Sequence, residues 1–374
     1  MSERRLIVHA GFHKSGTTAL QEAFDAQSEE LRERGVVYPN IGRKAHHRIA
    51  WALTQKPWGW NKKGGEVTSV KHWKELARQI NSSDAETILI SSEFFSELDS
   101  DAIKTIKSAI KKRKVEVVFT VRPLVKLLGS SYQQYLKYGI KADYTTWLHS
   151  VLDKPGESKI NPTFWQRHFH GQVVGRWVNV LGAENVTVII VDESKPEFLF
   201  DSINQYLQLP KGFLKAQETG SNRSLTMEEI ALLIELNKRF PKEREWNEYE
   251  VFIRDGYIRR LTDHVKPSAD SGRLTTPQWA IDKGNEIGAQ NKRELVATGA
   301  KIIGDIDSLD TAKVPEGEPK YPDKISIPVI AEAMIGFDKT LVKRFPLGWV
   351  QENIMNRYKR KVRIQISKFR KNFN

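Results

Sequence analysis

The 374-residue chain has no cysteine. A disulfide framework and a thiolate metal site are therefore excluded, and a reducing, cytoplasmic setting is the natural expectation. Long apolar runs are also missing. No stretch approaches the roughly 18 apolar residues of a membrane span. The opening Met1-Ser2-Glu3-Arg4-Arg5 leads only into Leu6 to Ala10, a run shorter than a signal-peptide core. Acid is absent from Asn356 to Asn374, where eight residues are Lys or Arg.

What is present sets the class. Hydrophobic residues make up 39% of the chain and there are 10 Trp, enough apolar material for a packed core and too much for disorder throughout. The length fits one large α/β domain with insertions, or two smaller domains. The net charge of +13 implies acidic partners: a nucleotide donor, a polyanionic substrate, nucleic acid or a membrane surface. Much of that excess belongs to the C-terminal tail.

Short apolar runs at Leu6–Ala10, Val36–Pro39, Thr87–Ile90, Val115–Val121 and Val186–Val191 predict strands. Helical patterns fall between them: from Thr17 to a stop at Gly35, then over Val70–Ile80, Asp101–Lys112, Pro123 to about Tyr138, Pro162–Leu181 and Phe198–Leu207. Thr226-Met227-Glu228-Glu229 predicts a capping box opening a further helix to Phe240. Strands alternating with helices predict an α/β fold. Specifically, we expect a P-loop-type three-layer α/β/α domain around a central parallel sheet, plus a mainly helical C-terminal region. The expected division is a core over 1–240, a helical extension packed on it over 241–355 and a basic tail over 356–374. Beyond residue 240 no strong strand pattern is present, and Lys313–Lys324, with three Pro, reads as a connector.

The segment Gly11-Phe12-His13-Lys14-Ser15-Gly16-Thr17-Thr18 joins the first strand to the first helix. Backbone N–H groups converge at such a junction, and the helix dipole favours an anion there. The two glycines allow close approach, and the hydroxyls of Ser15, Thr17 and Thr18 can add hydrogen bonds. In an NTP-binding P-loop a lysine follows the second glycine. Here Thr17 follows Gly16, and the only lysine, Lys14, lies within the loop, placed for the bridging oxygen of a shorter donor. No Asp at a strand end is an obvious holder of Mg²⁺.

The run His9 to Gln21 resembles the first signature of the sulfotransferases that use 3′-phosphoadenosine 5′-phosphosulfate (PAPS), a strand followed by Lys-x-Gly-Thr-Thr. The resemblance extends over roughly residues 5–240 and is nearest to bacterial carbohydrate-type enzymes. It implies that His13, Lys14, Ser15, Gly16, Thr17 and Thr18 hold the 5′-phosphate end of the donor. It also implies that Arg122, at the end of the Val115–Val121 strand, and Ser130, eight residues on, hold the 3′-phosphate. Arg223, in Ser221-Asn222-Arg223-Ser224, corresponds to a later basic segment that covers the donor. The Arg-Lys-Gly segment of the cytosolic enzymes is absent. No metal is implied.

Sulfuryl transfer needs a base for the acceptor hydroxyl or amine. Glu93, at the end of the Thr87–Ile90 strand, is the expected one, with His46 and His47 as rivals. Lys14 would stabilise the leaving phosphate. The implied acceptor is a glycan or glycolipid. A P-loop kinase with a displaced lysine and a non-catalytic anion-binding module are the alternatives. For the basic tail a solvated or disordered segment stands beside contact with an anionic membrane, at the inner face, or with a polyanionic acceptor. Nucleic acid is the least favoured partner, since no nucleic-acid fold signature accompanies the charge.

Overall fold

The computed structural model describes residues 3–57, 59–60, 63–217, 223–267, 271–344, 351 and 354–363. The chain forms two units. One comprises Met1–Leu136, Ile140–Gly220 and Arg273–Lys320; the other comprises Lys137–Gly139, Ser221–Gly272 and Tyr321–Asn374.

The first unit is built on six parallel strands: β1 (Arg5–His9), β2 (Val36–Val37), β5 (Thr87–Ser91), β6 (Lys114–Val121), β7 (Val186–Ile190) and β8 (Lys301–Ile303). Their order is β2-β5-β1-β6-β7-β8. Separately, β3 (Gly59–Trp60) pairs antiparallel with β4 (Lys63–Gly64). Side chains of a strand alternate between faces, and both faces of this sheet are covered. Leu6, Val8, Ile88, Ile90, Val117 and Phe119 pack against α3 (His47–Thr54), α4 (Lys71–Ser82), α5 (Ser100–Ala109) and α8 (His170–Leu181). Ile7, Leu89, Val118 and Ile189 pack against α1 (Thr17–Ala26), α2 (Ser28–Glu33) and α9 (Pro196–Tyr206). This is the expected three-layer α/β/α arrangement. Helices α6 (Leu124–Leu136), α7 (Tyr144–Leu152) and α13 (Gln278–Ala297) complete the unit.

From β1 the chain moves out to β2, while from β6 it moves the other way to β7. The crevice between the C-terminal ends of β1 and β6 is therefore the topological switch point, where open α/β sheets bind ligands. It is bounded by the Gly11–Thr18 segment and by Arg122.

The second unit is helical, with α10 (Met227–Arg239), α11 (Trp246–Tyr249), a π-helical stretch at Glu250–Ile258, α12 (Arg259–His264) and α14 (Ile327–Arg344). The capping box is formed: Thr226 Oγ1 accepts from Glu229 N–H while Glu229 accepts from Thr226 N–H. Gly336 of α14 lies so close to Gly256 that a Cβ would stand 2.5 Å from its carbonyl oxygen.

Three expectations need correction. The long first helix is two, broken at Gln27. The Pro162–Leu181 helix is a 3₁₀ turn at Trp165–Arg167 followed by α8. The single boundary at residue 240 gives way to the discontinuous division above. Helix α10 belongs with the helical unit, and 273–320 returns to the first unit to add edge strand β8. That strand has three residues, none of them buried, and is too short to leave a periodic signal.

Candidate active site

β1 cannot run straight into α1. Its last bonds to β6 are Ala10 N–H to Val118 O at 2.9 Å and Phe12 N–H to Thr120 O at 3.0 Å. Gly11 lies between them, and a Cβ there would meet Thr120 Oγ1 at 2.5 Å, Thr17 Oγ1 at 2.6 Å and His9 Nε2 at 2.8 Å. Only glycine permits that approach. The chain then turns through left-handed Lys14 (φ 66°) and Gly16 (φ 88°) into α1. A lysine in this region is uncommon and marks a backbone held by its surroundings.

The hydroxyls divide unequally. Ser15 Oγ donates to Phe12 O at 2.6 Å and lies 2.6 Å from Thr120 Oγ1. Thr17 Oγ1 donates to Phe12 O at 3.3 Å. Both hydroxyls tie the loop together rather than reaching outward; Thr18 is exposed. No side chain caps the start of α1, whose first N–H groups have no partner within the helix.

Arg122 joins the second sequence signature to the first. Its Nη1 donates to Lys14 O at 2.7 Å, and its Nε–H is buried without a partner. Nη2 is bound by Glu193, which also lies 3.3 Å from Lys126 Nζ. Burial lowers the Arg122 pKa, and Glu193 opposes that shift. Lys126, Ser130 and Gln134 are spaced i, i+4, i+8 on α6 and so follow one side of it. Lys126 touches Glu193 at one end, and Gln134 Oε1 accepts from Lys14 Nζ at 3.1 Å at the other. Ser130 lies between them, its hydroxyl donating to Leu127 O at 3.1 Å. Lys14 is exposed. Desolvation lowers its pKa, Glu93 opposes that and Arg122 adds to it.

No family model and no curated protein matches the chain. Among solved structures it is similar to a sulfotransferase from Alicyclobacillus acidocaldarius. The two share 15% identity with a TM-score of 0.42, over 63% of this chain and 92% of that one. The likeness assigns no residue here a role.

On the other side of the loop, β5 ends at Ser91 and Glu93 follows in a 3₁₀ turn capped by Ser92. Glu93 Oε2 accepts from Gln21 Nε2 at 3.4 Å and lies 3.6 Å from His47 Nδ1. His47 Nδ1 is 2.8 Å from Ser92 Oγ, and its ring meets Phe94 edge-on at 5.1 Å. Burial raises the Glu93 pKa, but the charges of His47 and His13 and the hydrogen bonds outweigh it, and the net shift is downward. The carboxylate is therefore ionised at neutral pH.

His46 is placed differently from His47. Its Nδ1 accepts from Ser91 N–H at 3.2 Å, which leaves Nε2 to donate to Pro39 O at 3.0 Å. Both nitrogens are occupied, so His46 joins the loop after β2 to β5 and is a poor base. His13 is likewise engaged: its Nε2 lies 2.9 Å from Glu97 Oε1, which also accepts from Arg167 Nε at 2.8 Å. Burial raises the Glu97 pKa, but Arg167 and His13 pull it down to about 2. Burial, with help from Arg167, lowers the pKa of His13. This ion pair forms one wall of a cleft of about 510 Å³ that also presents Trp51, Phe94, Trp165 and Phe169.

Arg223 belongs to the second unit. Its guanidinium donates to both oxygens of buried Glu229, at 2.6 and 2.8 Å, and to Leu261 O at 2.7 Å. It is thereby committed to that unit's interior. Ser221 and Asn222 lie outside the described residues. Sequence reasoning missed Lys126, Gln134, Glu193 and the Glu97–Arg167 pair. The i, i+4, i+8 polar ridge on α6 is the one signal that could have found the first two.

Buried imidazoles make this unit acid-sensitive. Burial holds His9 and His46 to about 4 and His170 to about 3. The unfolded chain protonates them near pH ~6.5. Their contribution is therefore complete above that value and is lost as pH falls toward the folded ones. Each can remove up to ~1.4 kcal/mol per pH unit. The melting temperature should drop steeply between about pH 6 and 4; a level profile across that window would refute the neutral, buried assignment.

Proposed function

We propose that this protein moves a sulfuryl group from PAPS to a hydroxyl or amine of a glycan or glycoconjugate and releases 3′-phosphoadenosine 5′-phosphate (PAP). The observation that carries this reading is the 2.7 Å bond from Arg122 to Lys14 O. It brings two signatures about 110 residues apart in sequence to one crevice at the switch point of the sheet.

In this reading the 5′-phosphosulfate lies on the N-terminus of α1 with Lys14 at its bridging oxygen. The 3′-phosphate takes Arg122, with Lys126 and Ser130 beside it. It displaces Glu193, which now holds both cations. The acceptor enters by the aromatic cleft. Its oxygen or nitrogen attacks sulfur as the bond to the bridging oxygen breaks, and PAP departs with the electron pair. The acceptor proton passes to Glu93, which His47 and Gln21 hold in place. Ser15 and Thr17 serve the loop's shape through their hydroxyls; Ser15 N–H also bonds Phe12 O at 3.2 Å, so the phosphate takes backbone N–H from the start of α1 instead.

Thermal shift with PAP, ATP and GTP tests the reading. PAP at 100 times its Kd should add about 2.7 kcal/mol of stability, and the nucleoside triphosphates should add little. Glu193→Ala should bind PAP about fivefold more tightly, because a partly exposed carboxylate competing for one site is worth about 1 kcal/mol. A response to ATP without one to PAP overturns the proposal in favour of a kinase.

A further inference from the structure

Residues 354–363 form a helix whose composition departs from the rest of the second unit. Five of its ten residues are basic (Arg357, Lys359, Arg360, Lys361 and Arg363), and none is acidic. Placed at 100° per residue, Ile354, Tyr358, Val362 and Met355 fall within one arc of about 100°, while all five cations occupy the remaining arc. The sequence alone obscured this, because Val362, Ile364 and Ile366 alternate and suggest no helical face. In the structure Ile354, Met355 and Tyr358 are 59%, 51% and 64% exposed. The same unit leaves Ile327, Ile330 and Met334 of α14 exposed as well, so the two apolar surfaces do not cover each other.

An uncovered apolar arc bordered by dense positive charge suits one environment above others. The interface of a bilayer offers hydrocarbon to the arc and anionic headgroups to the cations flanking it. A soluble polyanion would engage the charges and leave Ile354, Met355 and Tyr358 in water. A second copy of the helix would bury the arcs but bring two sets of five cations together. We propose that helix 354–363 docks this protein on a membrane surface that carries anionic lipid. The proposal does not depend on the donor chemistry.

The test uses the full chain and co-sedimentation with vesicles. Partitioning onto phosphatidylcholine containing about 30% phosphatidylglycerol should exceed that onto pure phosphatidylcholine by tenfold or more, and should fall with added salt. Ile354→Asp and Tyr358→Asp should each reduce binding severalfold without moving the melting temperature, since both positions are exposed. Arg357→Glu with Arg360→Glu should abolish the preference for anionic lipid. The proposal is overturned if both vesicle types bind equally or not at all. It is also overturned if the two Asp variants bind like the wild type, which would mark a polyanion site, or if the wild type elutes as a dimer that Ile354→Asp dissociates.

Discussion

Lys14→Ala is expected to lower kcat for sulfuryl transfer by about 100- to 1,000-fold, the usual cost of removing one charge-stabilising donor from a developing oxyanion. Charge grows on the bridging oxygen as the S–O bond breaks, and the proposed site puts the Lys14 ammonium beside that oxygen. Gln134 holds the ammonium at 3.1 Å, so the cation is oriented before the donor arrives. The substitution leaves the loop's backbone requirement unchanged, because alanine at φ 66° is no more strained than the lysine it replaces. Folding stability should therefore stay within about 1 kcal/mol of wild type, and the loss can be read as chemistry. Rapid-quench measurement of PAP release from PAPS is the check. An interaction made chiefly in the transition state lowers kcat and kcat/KM together, with little change in KM. A variant with kcat within threefold of wild type would mean that the loop binds phosphate without assisting its departure.

The parts of this site that were legible in the sequence are those set by local chemistry. Gly11 and Gly16 bracket a turn between an apolar run and a helix, so the loop could be placed before its neighbours were known. The β6 strand ends at Val121, directly before Arg122, because Pro123 prevents it from continuing. What was not legible depends on register between distant segments. Glu193 lies just beyond β7, and only the parallel pairing of β6 with β7 sets it against Arg122. Arg167 reaches Glu97 because a 3₁₀ turn replaces the start of the expected helix. The separate fates of His46 and His47 could not be read from adjacent positions with identical side chains. The first residue of a helix and its N-cap face different surroundings, and here one imidazole bonds backbone while the other meets Ser92 and Glu93.

That difference sets the second large effect. Glu93→Gln should lower kcat by 100- to 10,000-fold, the range over which a positioned base contributes, because the amide keeps the shape and loses the proton acceptor. His47→Asn should cost about tenfold, since it removes a group that holds Glu93 rather than one that takes the proton. His46→Gln should affect stability more than rate, because its two bonds are to the Ser91 and Pro39 backbone. The pH profile separates the carboxylate from the imidazole. The Glu93 pKa is below the ordinary carboxylate value, and a base works only when deprotonated. With Glu93 as the base, kcat should stay level from neutral pH down to about 5, where acid unfolding from the buried imidazoles begins to interfere. An acidic limb between about pH 7 and 5 that disappears in His47→Asn would transfer the catalytic role from Glu93 to His47.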